Sequence, residues 1–123
     1  MNKETALYYI QNNTIIGIKA GNERQEFLEI WMVVIQNRIF ARSWGLAERS
    51  WYNVFLENPE GKIQCGENRY SIQAIVPEDI AELTEEINQA YLKKYNSDHN
   101  TPYSKEIIRE KHIARTIEFV ILE

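Results

Sequence analysis

Two arginines and three aromatic residues lie close together in the middle of this sequence. Together with two serines they form one cluster: Arg42, Ser43, Trp44, Arg49, Ser50, Trp51 and Tyr52. Arginine makes bidentate contacts with phosphate, and indole and phenol rings stack on flat ligands. The cluster spans a predicted strand end and a predicted helix start, where unpaired backbone N–H groups attract an anion. It therefore predicts a cofactor-binding site for an anionic, planar ligand.

Structural roles are the alternative for the same residues. Trp51 would then fill the interior of a barrel, and Arg42 would pair with a carboxylate such as Glu29. Lys19 and Arg24, on either side of a Gly-Asn turn, could reach a ligand phosphate or simply flank a solvated hairpin end. The residues alone leave these alternatives open.

The other residue types that carry catalysis form no such cluster. His99 and His112 have no second histidine, cysteine or carboxylate at the spacing of a metal site. The single cysteine, Cys65, lies on a predicted strand, and we interpret it as a buried thiol. The sequence has no nucleophile-elbow, Walker or dinucleotide glycine motif. It therefore predicts no metal and identifies no catalytic residue.

Strands and helices around the cluster must position it. Short β-branched or alternating runs predict strands over residues 14–20, 29–35, 38–43, 62–65, 69–76 and 114–122. Helical spacing predicts helices over residues 3–11, 51–57 and 79–95, with a brief one after Ser104. Gln36-Asn37 and Gly66-Glu67-Asn68 predict hairpin turns. About six strands with hairpin connections indicate an antiparallel sheet or barrel with attached helices.

The strand predicted over residues 29–35 is apolar at both odd and even positions. A strand of this kind needs both of its faces covered, by a helix over a small barrel or by a second subunit. This run is therefore one reason to expect a homodimer.

Length and charge set further limits. The 123 residues suit one domain over 1–123, and the formal charge of −4 argues against a nucleic-acid partner. No run approaches the 18 or more apolar residues of a membrane helix, and the N-terminus has no signal-peptide core. With a single cysteine, these features predict a cytoplasmic protein that does not bind membranes.

The cluster and its surroundings resemble the FMN-binding split-barrel superfamily. The resemblance covers residues 14–122 and is carried by Phe40-Ala41-Arg42-Ser43-Trp44-Gly45, Ser50-Trp51-Tyr52-Asn53-Val54 and Asn58-Pro59. Within it, the chain looks like small uncharacterised bacterial proteins that share an Arg-Ser strand end, a Trp-Tyr helix start and a Lys-Tyr helix end, here Lys94-Tyr95. Related branches are pyridoxamine-phosphate oxidase-like enzymes and deazaflavin-dependent nitroreductases.

The resemblance implies a mainly β, α+β fold: a six-stranded antiparallel split barrel with flanking helices, commonly a homodimer with cofactor sites at the subunit interface. It implies FMN or a deazaflavin as cofactor. The oxidase branch holds the flavin phosphate with a Ser-Arg-Lys run, whereas this chain has Arg49-Ser50-Trp51 there. The deazaflavin branch has a Gly-Arg-Lys-Ser-Gly-like turn, which residues 20–24 match poorly.

Two functions follow as hypotheses. The first is a flavin- or deazaflavin-binding oxidoreductase in which the cofactor performs hydride transfer, so that no side chain need act as acid or base. The second is a non-enzymatic dimeric ligand-binding or stress-related module whose cofactor site has degenerated, which the replacement of the lysine by Trp51 favours.

Overall fold

An antiparallel sheet forms most of the chain. The computed structural model describes residues 2–21, 26–43, 51–95 and 101–122. Across these residues the strands are β1 (Ile16–Ala20), β2 (Leu28–Ile30), β3 (Val33–Ile35), β4 (Arg38–Arg42), β5 (Glu60–Cys65), β6 (Asn68–Ile75) and β7 (Thr116–Ile121). The helices are α1 (Asn2–Asn12), α2 (Trp51–Glu57), α3 (Ile80–Lys94), α4 (Thr101–Ile107) and α5 (Glu110–Ile113). The fold is α+β, as predicted.

The sheet has seven strands in the described part of the chain, in the order β2-β1-β5-β6-β7-β4-β3, so the prediction of six is wrong. The difference lies in the apolar run over residues 29–35. It forms two strands: Ile30 pairs with Ile16 on β1, and Val33 pairs with Phe40 on β4. An unbroken apolar run gives no sign of this division.

The two halves of that run lie at opposite edges of the sheet, with only Trp31 and Met32 between them. Since the three Cα–Cα steps from Ile30 to Val33 span at most about 11 Å, the sheet must curl until its edges meet. The result is a half-barrel, and we call Trp31–Met32 its seam.

Local turn chemistry shapes the hairpins as expected. Gln36 and Asn37 have φ values of 51° and 60°, which are the left-handed values that a two-residue type I′ turn requires. Gly66, at φ 66°, opens the turn between β5 and β6, where glycine adopts a positive φ without strain. Both predicted hairpins are confirmed.

Alternation along β4 divides its side chains between two cores. Ile39 and Ala41 belong to an inner core with α1, α2 and the concave side of the sheet. Phe40 belongs to an outer core with α3 and Ile107 of α4. Val33 and Ile35 pack in the outer core and Val34 against the inner one, so this chain itself covers both faces of β3.

The end of α3 holds the seam. Met32 N donates to Tyr95 Oη over 3.2 Å, and Tyr95 Oη donates to Thr14 O over 3.2 Å. Lys94 Nζ donates to Met32 O and to Ile10 O at the end of α1. Trp31 stacks on Tyr95, with ring centroids 4.0 Å apart. These contacts explain the Lys-Tyr pair at the helix end.

Tyr91 completes the attachment from one turn earlier in α3. Its hydroxyl donates to Trp31 O over 3.3 Å and accepts a hydrogen bond from Arg42 N over 2.9 Å. In the described residues, no helix is long and apolar enough to cross a membrane.

We predict that Tyr95→Phe lowers the free energy of unfolding by about 1–3 kcal/mol, because Met32 N–H and Thr14 O lose a partner beside a buried ring. Urea unfolding measures the change. Tyr8→Phe is the matched control, since Tyr8 is 70% exposed and should shift stability by less than about 0.5 kcal/mol. Equal effects of the two substitutions would contradict the role assigned to Tyr95.

Candidate functional site

Arg42 ends β4 on the outer side of the sheet and is only 2% exposed. Its Nε donates to Thr116 Oγ1 over 3.2 Å, across the β4–β7 pair. Its Nη1 donates to Asn88 Oδ1 on α3 over 2.5 Å and to Ile107 O over 3.4 Å. The guanidinium carbon lies 5.6 Å from the centre of the Tyr91 ring. Strand, helix and ring therefore fix the guanidinium in one orientation.

The Arg42 guanidinium has no carboxylate partner among the described residues. Its Nη2 is buried and makes no hydrogen bond there. Burial lowers the pKa of Arg42. The predicted alternative, a pair with Glu29, is wrong within the described structure, since Glu29 is exposed on β2 and the Arg42 guanidinium bonds to Thr116, Asn88 and Ile107.

Arg38 shows the contrasting case on the same strand and the same side. Its guanidinium donates to Asp79 at 2.8 and 3.1 Å and to Glu118 at 2.8 and 3.0 Å. Hydrogen bonds to these carboxylates raise the pKa of Arg38. β4 thus carries one arginine with two anionic partners and, four residues later, one with none in the described structure.

Arg115 has a second buried guanidinium nitrogen and lies opposite Ser43, just beyond the paired part of β4 and β7. Ser43 N donates to Arg115 O over 3.2 Å, and Arg115 Nη1 is buried without a hydrogen-bond partner in the described part of the chain. The Arg115 guanidinium carbon is 5.3 Å from the centre of the Tyr52 ring. Arg115 lies in the turn just before β7, so Arg115 and Arg42 both lie near the end of β4.

Buried polar contacts from α5 hold Ser43 in place. Ser43 is fully buried, and its carbonyl oxygen lies 2.9 Å from His112 Nδ1. A carbonyl can only accept, so His112 Nδ1 carries the hydrogen. On the other side of the ring, Nε2 lies 3.4 Å from Glu106 Oε2. A hydrogen bond from Lys111 lowers the pKa of Glu106.

Trp51 packs inside the barrel, where the structural alternative placed it. It is 9% exposed, and its ring centre lies 5.9 Å from that of Phe119 and 6.2 Å from that of Phe55. Tyr52 is half-buried and donates to Ala114 O over 3.2 Å, at the turn before β7. Trp51 and Arg42 therefore belong to opposite sides of the sheet. Helix α2 has only seven residues, so its dipole adds little to the site.

The remaining predicted residues, Trp44, Arg49 and Ser50, lie outside the described residues, as does Arg24. Lys19, from the second predicted group, lies 5.7 Å from the centre of the Phe27 ring. Cys65 is buried, and burial raises the pKa of its thiol to about 11, as suits a structural cysteine. Among the described residues, no three side chains of the metal-binding types lie together.

Comparison with known proteins identifies the family of this chain. Residues 7–119 match a family described as uncharacterized protein conserved in bacteria (DUF2255). The chain belongs to this family. A search of curated proteins gave no match.

Solved structures show the same fold at low identity. One is a conserved hypothetical protein from Mycobacterium tuberculosis, with a TM-score of 0.63 and 13% identity, covering 100% of this chain and 82% of that one. Another is a proposed pyridoxamine 5′-phosphate oxidase from Listeria innocua, with a TM-score of 0.59 and 10% identity, covering 99% of this chain and 93% of that one. A third is an FAD-binding protein from Mesorhizobium loti, with a TM-score of 0.56 and 11% identity, covering 97% of this chain and 87% of that one. The chain is therefore similar in fold to flavin-binding split-barrel-like proteins.

Sequence reasoning missed Arg115, Asn88, Thr116 and His112 in this region. Arg115 and Thr116 were part of an alternating strand pattern, and Asn88 was one polar position on a long helix. Their position beside Arg42 and Ser43 comes from the β4–β7 pairing and from α3 crossing the outer face. Strand alternation could have placed Arg42 on the side of Phe40, away from Ala41.

We predict that the two arginines of β4 differ in their effect on stability without ligand. Arg38→Met should cost about 1–3 kcal/mol, because it leaves the buried Glu118 without its cation. Arg42→Met should stay within about 1 kcal/mol of the wild type, since the lost hydrogen bonds are offset by removal of a buried charge that has no anionic partner among the described residues. Urea unfolding in phosphate-free buffer measures both. If both variants lose the same free energy of unfolding, the charge of Arg42 is already balanced in the protein without ligand, and the predicted difference is wrong.

Proposed function

We propose that this protein binds a flavin or deazaflavin cofactor, with the cofactor phosphate beside Arg42. The single observation that carries the proposal is the buried Arg42 guanidinium, which has a free Nη2 and no anion among the described residues. A buried cation without an anion is unfavourable, and a phosphate would supply both the charge and the acceptor. The likeness to the FAD-binding protein and to the proposed oxidase supports the choice of ligand.

The chain offers two buried donors near the end of β4. Arg42 Nη2 would meet the phosphate, and Arg115 Nη1 would meet the part of the cofactor next to it. Ser43 would add its side chain, and Tyr52, beside Arg115, would line the ring. Trp44, Arg49 and Ser50 remain candidates from the sequence. Trp51 has the weakest case, since it packs in the inner core.

The bound cofactor would supply hydride transfer, which makes a small oxidoreductase the proposed activity. The residues of this chain would bind and orient it. His112 would hold the Ser43 backbone through its hydrogen bond to the carbonyl. Asn88 and Thr116 would keep the Arg42 guanidinium pointed at the phosphate, which lowers the entropy lost on binding.

The burial of Trp51 favours a second candidate function. Where the resemblance expects a phosphate-binding lysine, this chain has a core residue. A non-enzymatic module of the same fold, which retains the pocket but has lost the cofactor, would show this substitution. A cofactor titration separates the two functions, since only the first requires tight binding.

We expect the purified protein to bind FMN or a deazaflavin, followed by quenching of cofactor fluorescence. Arg42→Met should weaken binding by about 1.5–3 kcal/mol, the range for a hydrogen bond to a charged group. Arg69→Met, a change at an exposed arginine on β6, is the control and should leave affinity unchanged. If the wild type binds neither cofactor, the proposal is wrong. If Arg42→Met binds as tightly as the wild type, Arg42 is not in the site.

We also propose a homodimer. The apolar run that first suggested one is covered within the chain, but the outer side of β6 and β7 leaves three apolar side chains exposed: Ile75, Val120 and Leu122. Ile75 pairs with Glu118 and Val120 with Gln73, and Leu122, two positions after Val120, donates to Ser71 O, so all three lie on one side of neighbouring strands. Such a strip suits a self-complementary contact between two copies.

Light scattering at micromolar concentration should then give a dimer mass for the wild type. Val120→Glu should give a monomer, because Val120 is 38% exposed within the strip and a buried carboxylate there would be unpaired. Leu56→Glu is the control at an equally apolar position, 52% exposed on α2. A monomeric wild type, or a dimeric Val120→Glu variant, would exclude this strip as the interface.

A further inference from the structure

A cavity of about 500 Å³ lies between the end of α1, strand β3 and the end of α3. Asn12, Asn13, Val34, Lys93 and Lys94 are among the residues that line it. Its volume is in the range of small-molecule sites. Arg42 does not line it, so this cavity is separate from the proposed cofactor site.

The Lys94 amine in the cavity wall has two fixed acceptors. Its Nζ donates to the backbone oxygens of Ile10 and Met32 and lies 5.2 Å from the centre of the Tyr95 ring. A neutral amine has two N–H groups and one lone pair, whereas an ammonium has three N–H groups. Two oxygen acceptors thus satisfy the neutral form completely, and the third N–H of the charged form has no oxygen acceptor among the described residues.

The surroundings of Lys94 favour the neutral amine as well. Burial lowers the pKa of Lys94 to about 8. The Cys65 thiol of β5 opposes this shift more weakly, the Tyr95 ring lies over the amine, and Lys93 of α3 lines the same cavity. At neutral pH roughly a tenth of the amine is then uncharged, about 200 times the fraction for a lysine at its ordinary pKa.

The opposite wall presents hydrogen-bond acceptors. The Asn12 side-chain amide donates to Tyr8 O over 2.8 Å, and that of Asn13 donates to Tyr9 O over 2.9 Å. Each amide nitrogen keeps a second N–H group, and each amide oxygen is an acceptor beside the carbonyl end of α1. Donors and acceptors together suit the hydroxyl groups of a ligand.

We propose that this cavity binds a small hydroxylated aldehyde or ketone and that Lys94 forms an imine with its carbonyl carbon. The nitrogen lone pair forms the new C–N bond, the carbonyl π pair moves to oxygen, and one N–H proton passes to that oxygen to give a carbinolamine. The nitrogen then forms the C=N bond as the oxygen leaves with the second N–H proton, so both protons of the amine depart in one molecule of water. No oxidant or reductant is consumed.

Reductive trapping tests this proposal on the intact protein. Glyceraldehyde with cyanoborohydride converts an imine into a stable secondary amine, and peptide mass spectrometry assigns the modified lysine. At pH 7 we expect Lys94 to react at least about tenfold faster than exposed Lys93, its neighbour in the same cavity. The rate at Lys94 should rise with pH and level off above about pH 8, because the neutral fraction is then complete.

Two controls keep the result interpretable. Lys94→Arg preserves donors for the carbonyls of Ile10 and Met32 but removes the nucleophile, so no other lysine should show the fast phase. Unfolding in urea should remove the preference for Lys94. If Lys94 reacts no faster than Lys93 in the folded protein, or if the preference persists in urea, the proposal is wrong. Neither result bears on cofactor binding at Arg42.

Discussion

Closure of the half-barrel at Trp31–Met32 is the constraint on which the rest of this structure depends. The two edge strands are joined there by two residues but do not pair with each other in the described structure, so polar groups from elsewhere must satisfy the backbone at the seam. Tyr91, Lys94 and Tyr95 supply those groups from the end of α3. An edge that would otherwise present unpaired N–H and C=O groups is thereby covered by a helix.

The same attachment positions the proposed cofactor site. Tyr91 Oη joins the seam to the last residue of β4, since it donates to Trp31 O and accepts from Arg42 N. Asn88, one turn earlier on the same helix, holds the Arg42 guanidinium. Closure of the sheet and orientation of Arg42 are therefore two results of one helix packing against one face. The Lys-Tyr helix end and the Arg-Ser strand end belong to the same arrangement.

The sequence predicted what depends on near neighbours. The hairpin turn at Gln36-Asn37 and the helix α3 were both predicted correctly. The turn depends on two residues that accept left-handed backbone, and the helix on apolar residues at the helical period, so neither needs information about distant parts of the chain. The break at Trp31–Met32 was not, because only pairing with β1 and β4 divides the run. Arg42 and Trp51 were grouped by proximity along the chain, whereas the sheet separates them. Arg115 reaches Ser43 through a pairing 72 positions away, which no local pattern reveals.

Polar anchors at both ends of α3 bear on how well Arg42 could bind an anion. At its start, Asp79 is held by Arg38, which also lies on β4. At its end, Lys94 and Tyr95 are bonded to the seam. A helix fixed at two points on one sheet keeps Asn88 stationary between them. The guanidinium of Arg42 is then held in one orientation without a ligand. Binding of an anion therefore costs less side-chain entropy, and more of the free energy of the charged hydrogen bond contributes to affinity. Arg38 has carboxylate partners on both sides, whereas Arg42 has no anionic partner among the described residues, and this difference is what favours Arg42 as the binding group that we propose.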